Sequence, residues 1–414
     1  MTRAARTVCL ITGNHLCRNP RVLKEADLLY AAGLQVIVLG AWLVGELAQE
    51  DRQLMSGRQW TFTPVVDLTA TAGIQRRRWL RTRAAIGRYA GARLGLQNRW
   101  QLGYCAPELL QAALHSGAGL FIAHSEQALW VADSLLSAGH RIGVDMEDWF
   151  SEDLLPQVRR QRPLQLLRRL EGRLLREGRH TTCPSHAMSL ALAAQYDCRP
   201  PLVNYNAFAW SERAALDGQI KDRRNLQLPS LHWYSQTLGP GRGLEDLFQA
   251  LWHINADTEI HLRGCLSADS QTWLATLIPS PWKDRVFIHP LVSNSELLSR
   301  IAEHDIGFAG EMKYCPSRDL TVTNKILHYL LAGLPVVASD TAGQVEVAAR
   351  APGAVRLYPS GNSQALAANM NELLGSADRL QAAKIAATQA ARDTFSWEQQ
   401  EAALLASIQR ALAA

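Results

Sequence analysis

Several short stretches hold side chains whose types and spacing suit chemistry. Gly13-Asn14-His15 follows a first apolar run, and His124 closes another, with Ser125 and Glu126 behind it. A His at the carboxyl end of a strand sits where an open α/β sheet binds ligands, which suits catalysis or ligand contact. Asp145-Met146-Glu147-Asp148 ends the next apolar run in the same way. Asp153 follows shortly after, but the spacing of these acids follows no coordination logic, and no metal site is expected. In Gly239-Pro240-Gly241-Arg242-Gly243, three glycines let backbone N–H groups converge on an anion. Arg242 adds a charged fork, and a helix starting at Leu244 points its positive end the same way. That is chemistry for a diphosphate; a purely structural loop is the competing reading. The richest stretch, Glu311 to Gly333, carries Glu311, Lys313, Asp319, Asn324, Lys325 and His328 in a loop entering a helix. Asn324 and Lys325 at that helix N-terminus suit a phosphate. Neither G-x-G-x-x-G nor G-x4-G-K-[ST] occurs at these loops.

The elements that must position these residues follow one grammar. Val8–Thr12 reads as a buried strand, Pro20 opens a helix that Gly33 ends, and Gln35–Leu39 is the next strand. Leu120–Ala123 and Ile142–Asp145 continue the series. After about residue 207 the pattern restarts, with strands at Leu231–Tyr234, Glu259–Arg263, Val286–His289, Ile306–Ala309 and Val336–Ser339. Alternating strands and helices predict an α/β protein of two doubly wound parallel sheets. The polar, mixed-charge stretch from Asn206 to Arg224 reads as the linker.

Composition narrows the class. The chain has 414 residues, 47 % hydrophobic and 20 % charged, which excludes a disordered or collagen-like protein. The net charge of +5 is too small to announce a nucleic-acid partner. It conceals an asymmetry: residues 1–205 carry +8 and the remainder −3. The excess lies in two stretches. One holds Arg76, Arg77, Arg78, Arg81, Arg83, Arg88, Arg93 and Arg99 beside Trp79 and Trp100; the other holds eight arginines between Arg159 and Arg179, interleaved with leucines. Both patterns are expected of helices lying on an anionic membrane surface, or of solvated helix faces over a buried Leu stripe. Only six of the 43 basic residues are Lys. The seven cysteines form no C-x2-C pair, so neither a disulfide framework nor a zinc ribbon is expected. A signal peptide is not expected either, because the apolar run after Arg3 and Arg6 is only Val8 to Ile11. The expected setting is cytoplasmic, with peripheral contact to the inner face of the plasma membrane.

The segment from Asn324 to Asp340, NKILHYLLAGLPVVASD, resembles the donor-site signature of retaining glycosyltransferases of the GT-B fold, in the large family 4 (group 1). Asn19-Pro20-Arg21-Val22 with Lys24-Glu25-Ala26, Ile122-Ala123-His124, Gly241-Arg242-Gly243-Leu244 and Phe395-Ser396-Trp397-Glu398 match further parts of that family in order. The resemblance implies two Rossmann-like domains facing a cleft. Residues 1–206 would bind the acceptor and 207–390 a nucleoside-diphosphate sugar, with 391–414 forming a helix that crosses back to the N-terminal domain. It implies hexosyl transfer with retention to a lipid-linked, polysaccharide or other glycan acceptor, without a metal or other cofactor. A non-catalytic sugar- or partner-binding homologue and a nucleotide-sugar epimerase on the same fold are the alternatives. By position, Arg242, Gly243 and Lys325 would meet the diphosphate, Gly13 and Asn14 would close over it, and His124 would lie by the transferring sugar. Asn324, His328 and Glu346 would address the nucleotide or sugar, and Glu311 and Asp319 are the carboxylates left to approach the reacting centre. The chain departs from the family at two points. The Glu that usually holds the ribose is His328, with Leu320 eight residues earlier, and Thr237 replaces an Arg before the diphosphate loop.

Overall fold

The computed structural model describes residues 6–69 and 73–413. The chain divides into two units: one runs to Asn204 and resumes at Glu401, and the other spans Tyr205–Gln400. Each is built on one parallel sheet.

The first sheet has seven strands: β1 (Thr7–Ile11), β2 (Gln35–Trp42), β3 (Thr61–Asp67), β4 (Leu120–Ala123), β5 (Ile142–Asp145), β6 (His180–Cys183) and β7 (Leu202–Val203). Their order is β3-β2-β1-β4-β5-β6-β7. β1, β4 and β5 are buried along their whole length, which is why they read as short unbroken apolar runs. The second sheet holds β8 (Ser230–Thr237), β9 (Glu259–Cys265), β10 (Val286–His289), β11 (Ile306–Ala309), β12 (Val336–Ser339) and β13 (Val355–Tyr358), in the order β10-β9-β8-β11-β12-β13. Trp233, Phe248, Phe308 and Tyr358 fill its core. Burying an aromatic or Leu side chain of this kind stabilises by about 1.5–3 kcal/mol.

In both sheets the strand order reverses once, between β1 and β4 and between β8 and β11. Helices leave to opposite faces at such a point, and a crevice opens at the carboxyl ends of the two strands.

Residues 206–224 do not run free between the units. They are strapped onto the second one: Arg213 donates to the Leu331 carbonyl, Asp217 pairs with Arg300 at 2.6 Å, and the Lys221 and Asp222 N–H groups donate to Glu303 at 2.8 Å. The last helix, Glu398–Ala413, enters the first unit from Glu401 onward. There His180 Nδ1 and Ser407 Oγ are 2.8 Å apart, and Leu404, Ile408 and Leu412 are buried. No helix among the described residues is long and apolar enough to cross a membrane.

Candidate functional site

The first unit gathers its polar residues at the β1/β4 switch point. Asn19 begins the construction. Its side-chain oxygen caps the helix Pro20–Ala31 by accepting the Val22 N–H at 3.1 Å, and its amide donates to Glu147 at 2.8 Å. Pro20 supplies a preset first helical position. One turn apart on that helix, Arg21 and Glu25 then point at the ends of β4 and β5. Arg21 grips Asp145 through Nε and Nη2 at 2.7 and 2.6 Å, and donates to the Asn204 carbonyl at 2.8 Å. Thr182 Oγ1 donates to Asp145 at 2.8 Å.

His124 lies at the middle of this network. Its Nε2 is 3.2 Å from Glu25, and its Nδ1 is 3.2 Å from Glu147 and 3.4 Å from Asp145. Both ring nitrogens face carboxylates, so both carry protons and the ring is an imidazolium. Burial opposes that charge, but Glu25, Asp145 and Glu147 outweigh it and hold the His124 pKa well above the usual histidine value. Asp145 moves the other way: burial would raise it, yet Arg21 and His124 keep it far below the usual carboxylate range.

A cavity of about 530 Å³ opens beside this network, walled by Asn14, Arg18, Gly103, Tyr104, Gln127 and Glu147 among others. His124 stands in its wall but is 0 % exposed. Its Nδ1 faces Glu147, which reaches the surface of the cavity. Gly13 lies behind Asn14, its carbonyl accepting the Gln127 amide at 2.7 Å. His15 fixes the same loop. Its Nε2 accepts the Leu43 and Val44 N–H groups at 2.8 and 3.0 Å, so its Nδ1–H donates to Asp51 at 3.0 Å.

Among the described residues, two groups of side chains come close enough to hold a metal ion: Glu25, His124 and Asp145, and His15, Cys17 and Asp51. The charge contacts and hydrogen bonds above already engage side chains of both groups. In the first, two protons on His124 and the Arg21 guanidinium stand among the carboxylates; in the second, the His15 nitrogens are used as donor and acceptor.

The second unit repeats the arrangement at the β8/β11 switch point. Gly241 and Gly243 take left-handed backbone angles (φ +73° and +79°), and a Cβ on Gly243 would collide with the Gly310 backbone. Only glycine lets this loop lie against the end of β11. The Gly241 N–H donates to Glu245 at 2.8 Å, so one of the groups expected to serve an anion is used within the loop. Arg242 is exposed and donates to Ser235 Oγ at 2.8 Å. Across the crevice, Lys325 Nζ donates to Glu311 at 2.8 Å and lies 5.3 Å from the centre of the Trp233 ring. Burial would raise the Glu311 pKa, but Lys325, with Arg318 and Arg242 beyond it, lowers it below the usual carboxylate value. Asn324 is exposed at the start of the helix Asn324–Ala332.

The other expected residues have different surroundings. Asp319 accepts the Ala342 N–H at 3.1 Å and so fixes the start of the helix Ala342–Arg350. Glu346 accepts from the Tyr205 hydroxyl, which itself receives Arg350 at 2.6 Å. His328 is 4 % exposed; Phe208 stacks on it at 4.0 Å between ring centres and Tyr234 lies 3.1 Å from its Nδ1. Sequence reasoning missed Arg21 and Glu25 as members of a charge network. Their signal was a cation and an anion four residues apart beside the apolar stripe Val22, Ala26 and Leu29.

Comparison with known proteins bears on both halves. Residues 237–376 match the family described as glycosyl transferases group 1. No curated protein sequence matches the chain significantly. Among solved structures, HepE of Anabaena in complex with UDP superposes with a TM-score of 0.68 at 15 % identity, covering 97 % of this chain and 99 % of that one. Sucrose-phosphate synthase of Thermosynechococcus elongatus gives 0.66 at 15 % identity, covering 99 % of both. A UDP-N-acetylglucosamine 2-epimerase of Listeria monocytogenes, so named provisionally, gives 0.58 at 12 % identity, covering 98 % of this chain and 96 % of that one. At these identities the likeness establishes the fold, two Rossmann-like domains of the GT-B type.

Proposed function

From a chain with a group 1 glycosyl transferase segment at residues 237–376 on a GT-B fold, we propose a sugar transferase. It takes the sugar of a nucleoside-diphosphate sugar and passes it, with retained configuration, to a lipid-linked, polysaccharide or other glycan acceptor. The observation that carries this reading is the pairing of Lys325 with Glu311 opposite the Arg242 loop, at the switch point of the matched segment. When the bond from the sugar to the diphosphate breaks, negative charge gathers on the leaving oxygen. Arg242, Lys325 and the backbone N–H of Gly243 supply fixed positive charge and donors there. Lys325 exchanges Glu311 for the diphosphate, which frees the Glu311 carboxylate to accept sugar hydroxyls. Asn324 and Glu346 contribute further polar groups to nucleotide or sugar. Glu147 and Asn14 offer the acceptor hydroxyls partners in the N-terminal cavity, and His124 positions Glu147.

His328 favours a second reading, a sugar-binding homologue without turnover, because Phe208 and Tyr234 enclose the position where the family places a ribose-binding Glu. One experiment separates the readings. The full chain is melted with UDP-, GDP- and ADP-sugars, and the stabilising donor is incubated with glycan acceptors. A donor that raises the melting temperature and then releases its diphosphate supports transfer. Stabilisation without release supports the second reading, release with an isomerised sugar and no acceptor indicates an epimerase, and no stabilisation by any donor overturns all three.

A further inference from the structure

The sequence offers two basic stretches as membrane faces, and the structure treats them differently. In the helix Leu164–Glu177 and the segment before it, five arginines are engaged in ion pairs. Arg159 and Arg168 pair with Glu152 at 2.7 and 2.6 Å, Arg162 pairs with Glu126, and Arg169 and Arg173 pair with Asp133 at 3.2 and 2.8 Å. The leucines Leu167, Leu170, Leu174 and Leu175 are buried. This is a helix with its apolar stripe in the core and most of its arginines held by neighbouring carboxylates.

The helix Ile74–Leu94 is the reverse. Only Leu80, Ala84 and Gly87 are buried. At 3.6 residues per turn, the arc opposite those three holds Ile74, Trp79, Ile86 and Tyr89. All four face solvent, Ile86 at 63 % and Tyr89 at 65 % exposure. Arg78 and Arg93 lie within that arc, and Arg81 and Arg88 lie along its border. Among the described residues none of these four arginines has an ion-pair partner, and all are exposed. No Asp or Glu occurs between Asp67 and Glu108, a span that carries eight arginines. The face is also indented: Trp79, Arg83, Ile86, Ala90 and Trp100 wall a groove of about 350 Å³. Arg83 sits over the Trp79 and Trp100 rings at 4.3 and 3.9 Å, and is anchored by Glu108. Outward apolar groups bordered by unpaired cations, in a stretch without acids, complement an interface that is apolar inside and anionic at its surface.

We propose that the outward face of the helix Ile74–Leu94 is a docking surface for an anionic lipid bilayer. Ile74, Trp79, Ile86 and Tyr89 enter the headgroup layer, and Arg78, Arg81, Arg88 and Arg93 pair with lipid phosphates. The helix lies in the plane of the interface and does not cross it. The proposal is independent of sugar transfer, and its test needs no donor.

The full chain is sedimented with vesicles of phosphatidylcholine alone and with vesicles containing phosphatidylglycerol, at low and high salt. Wild type is expected to bind the anionic vesicles, and to bind them less as salt screens the arginines. A charge-reversed variant (Arg78→Glu, Arg81→Glu, Arg88→Glu, Arg93→Glu) and an apolar-face variant (Trp79→Ser, Ile86→Ser, Tyr89→Ser) should each lose roughly tenfold in partition. All substituted side chains face solvent, and circular dichroism checks that both variants remain folded. A control on the other helix (Arg168→Glu, Arg169→Glu) should bind as wild type does. Equal binding to both vesicle types, wild-type binding by both face variants, or an equal loss in the control would overturn the proposal. So would a wild type that ignores vesicles and associates with itself through this face.

Discussion

His289 Nε2–H donates to His261 Nδ1 across 3.0 Å, and the direction of that bond is fixed by Glu259, which takes the His261 Nε2–H at 3.1 Å. On its other side, His289 Nδ1 lies 3.3 Å from Asp222. His304 lies against His261 at 4.6 Å between ring centres and stacks on His232 at 4.7 Å. Four imidazoles from β8, β9, β10 and the turn before β11 thus share one buried patch, with Arg263 and Arg223 at its edge.

A pH dependence follows. Burial, with the charges of the neighbouring histidines, brings the His261 pKa down to about 2. Burial also lowers His289, to about 4, with Asp222 opposing part of the effect. The unfolded chain takes up these protons near pH 6.5, before the folded chain does. The stabilisation is whole above that pH and is lost as pH falls toward 4. His124, shifted upward, contributes in the opposite sense: its share is complete below about pH 6.5 and is lost only as pH rises through its folded value. Acid should therefore loosen the C-terminal unit first. Hydrogen exchange read by mass spectrometry at pH 7 and pH 4.5 should show β8–β10 losing protection ahead of β1, β4 and β5. Loss in the reverse order would refute the assignment.

The Arg21–Asp145 pair is almost wholly buried, at 5 % and 1 % side-chain exposure. Removing one partner leaves a charge without compensation, so Arg21→Met should cost about 3–5 kcal/mol. Urea unfolding of Arg21→Met and of Asp145→Asn would measure this, and a cost below about 1 kcal/mol in both would show that the network relaxes around the loss.

Arg242→Ala and Lys325→Ala should each slow donor turnover at least tenfold, about 1.4 kcal/mol in the barrier. Lys325→Ala also strands Glu311 without its cation, so its pH profile should gain an acid limb that Arg242→Ala lacks. Initial rates across pH would show it, and unchanged turnover in both variants would remove these residues from the donor site.

Gly243→Ala should be worse than its size suggests. The new methyl group would strike Gly310, and the left-handed backbone would be strained as well. Donor affinity by calorimetry should fall with a lowered melting temperature. Gly239→Ala, where a Cβ meets only Ser270 at 3.8 Å, should leave both nearly unchanged.

The interior of each sheet could be read from residues alone, because a strand buried on both faces must be apolar throughout. Leu120–Ala123, Ile142–Asp145, Ile306–Ala309 and Val336–Ser339 were found to the residue. The unnoticed strands lie at or next to sheet edges: β3 carries Pro64, β6 reads His-Thr-Thr-Cys, β7 has two residues, and β13 carries Arg356 and is half-buried at its centre. An edge strand answers to one neighbour and to water, so its composition is not forced. The candidate site divides similarly. The glycine loop and the Asn324-Lys325 helix start were visible as local chemistry. The partnership of Arg21 and Glu25 with His124 and Asp145 joins segments about a hundred positions apart, which spacing along the chain cannot express. The enclosure of His328 by Phe208 and Tyr234 was hidden for the same reason. Which of the arginines at 159–179 are paired could not be read, because Glu126, Asp133 and Glu152 lie on other elements.

The return of the last helix to the first unit sets an order on the birth of the molecule. β6 emerges from the ribosome with His180, yet Ser407 is made more than two hundred residues later. Until then the ground that Leu404, Ile408 and Leu412 will cover is open. The N-terminal unit must therefore wait, incomplete, while the whole C-terminal unit is synthesised and folds.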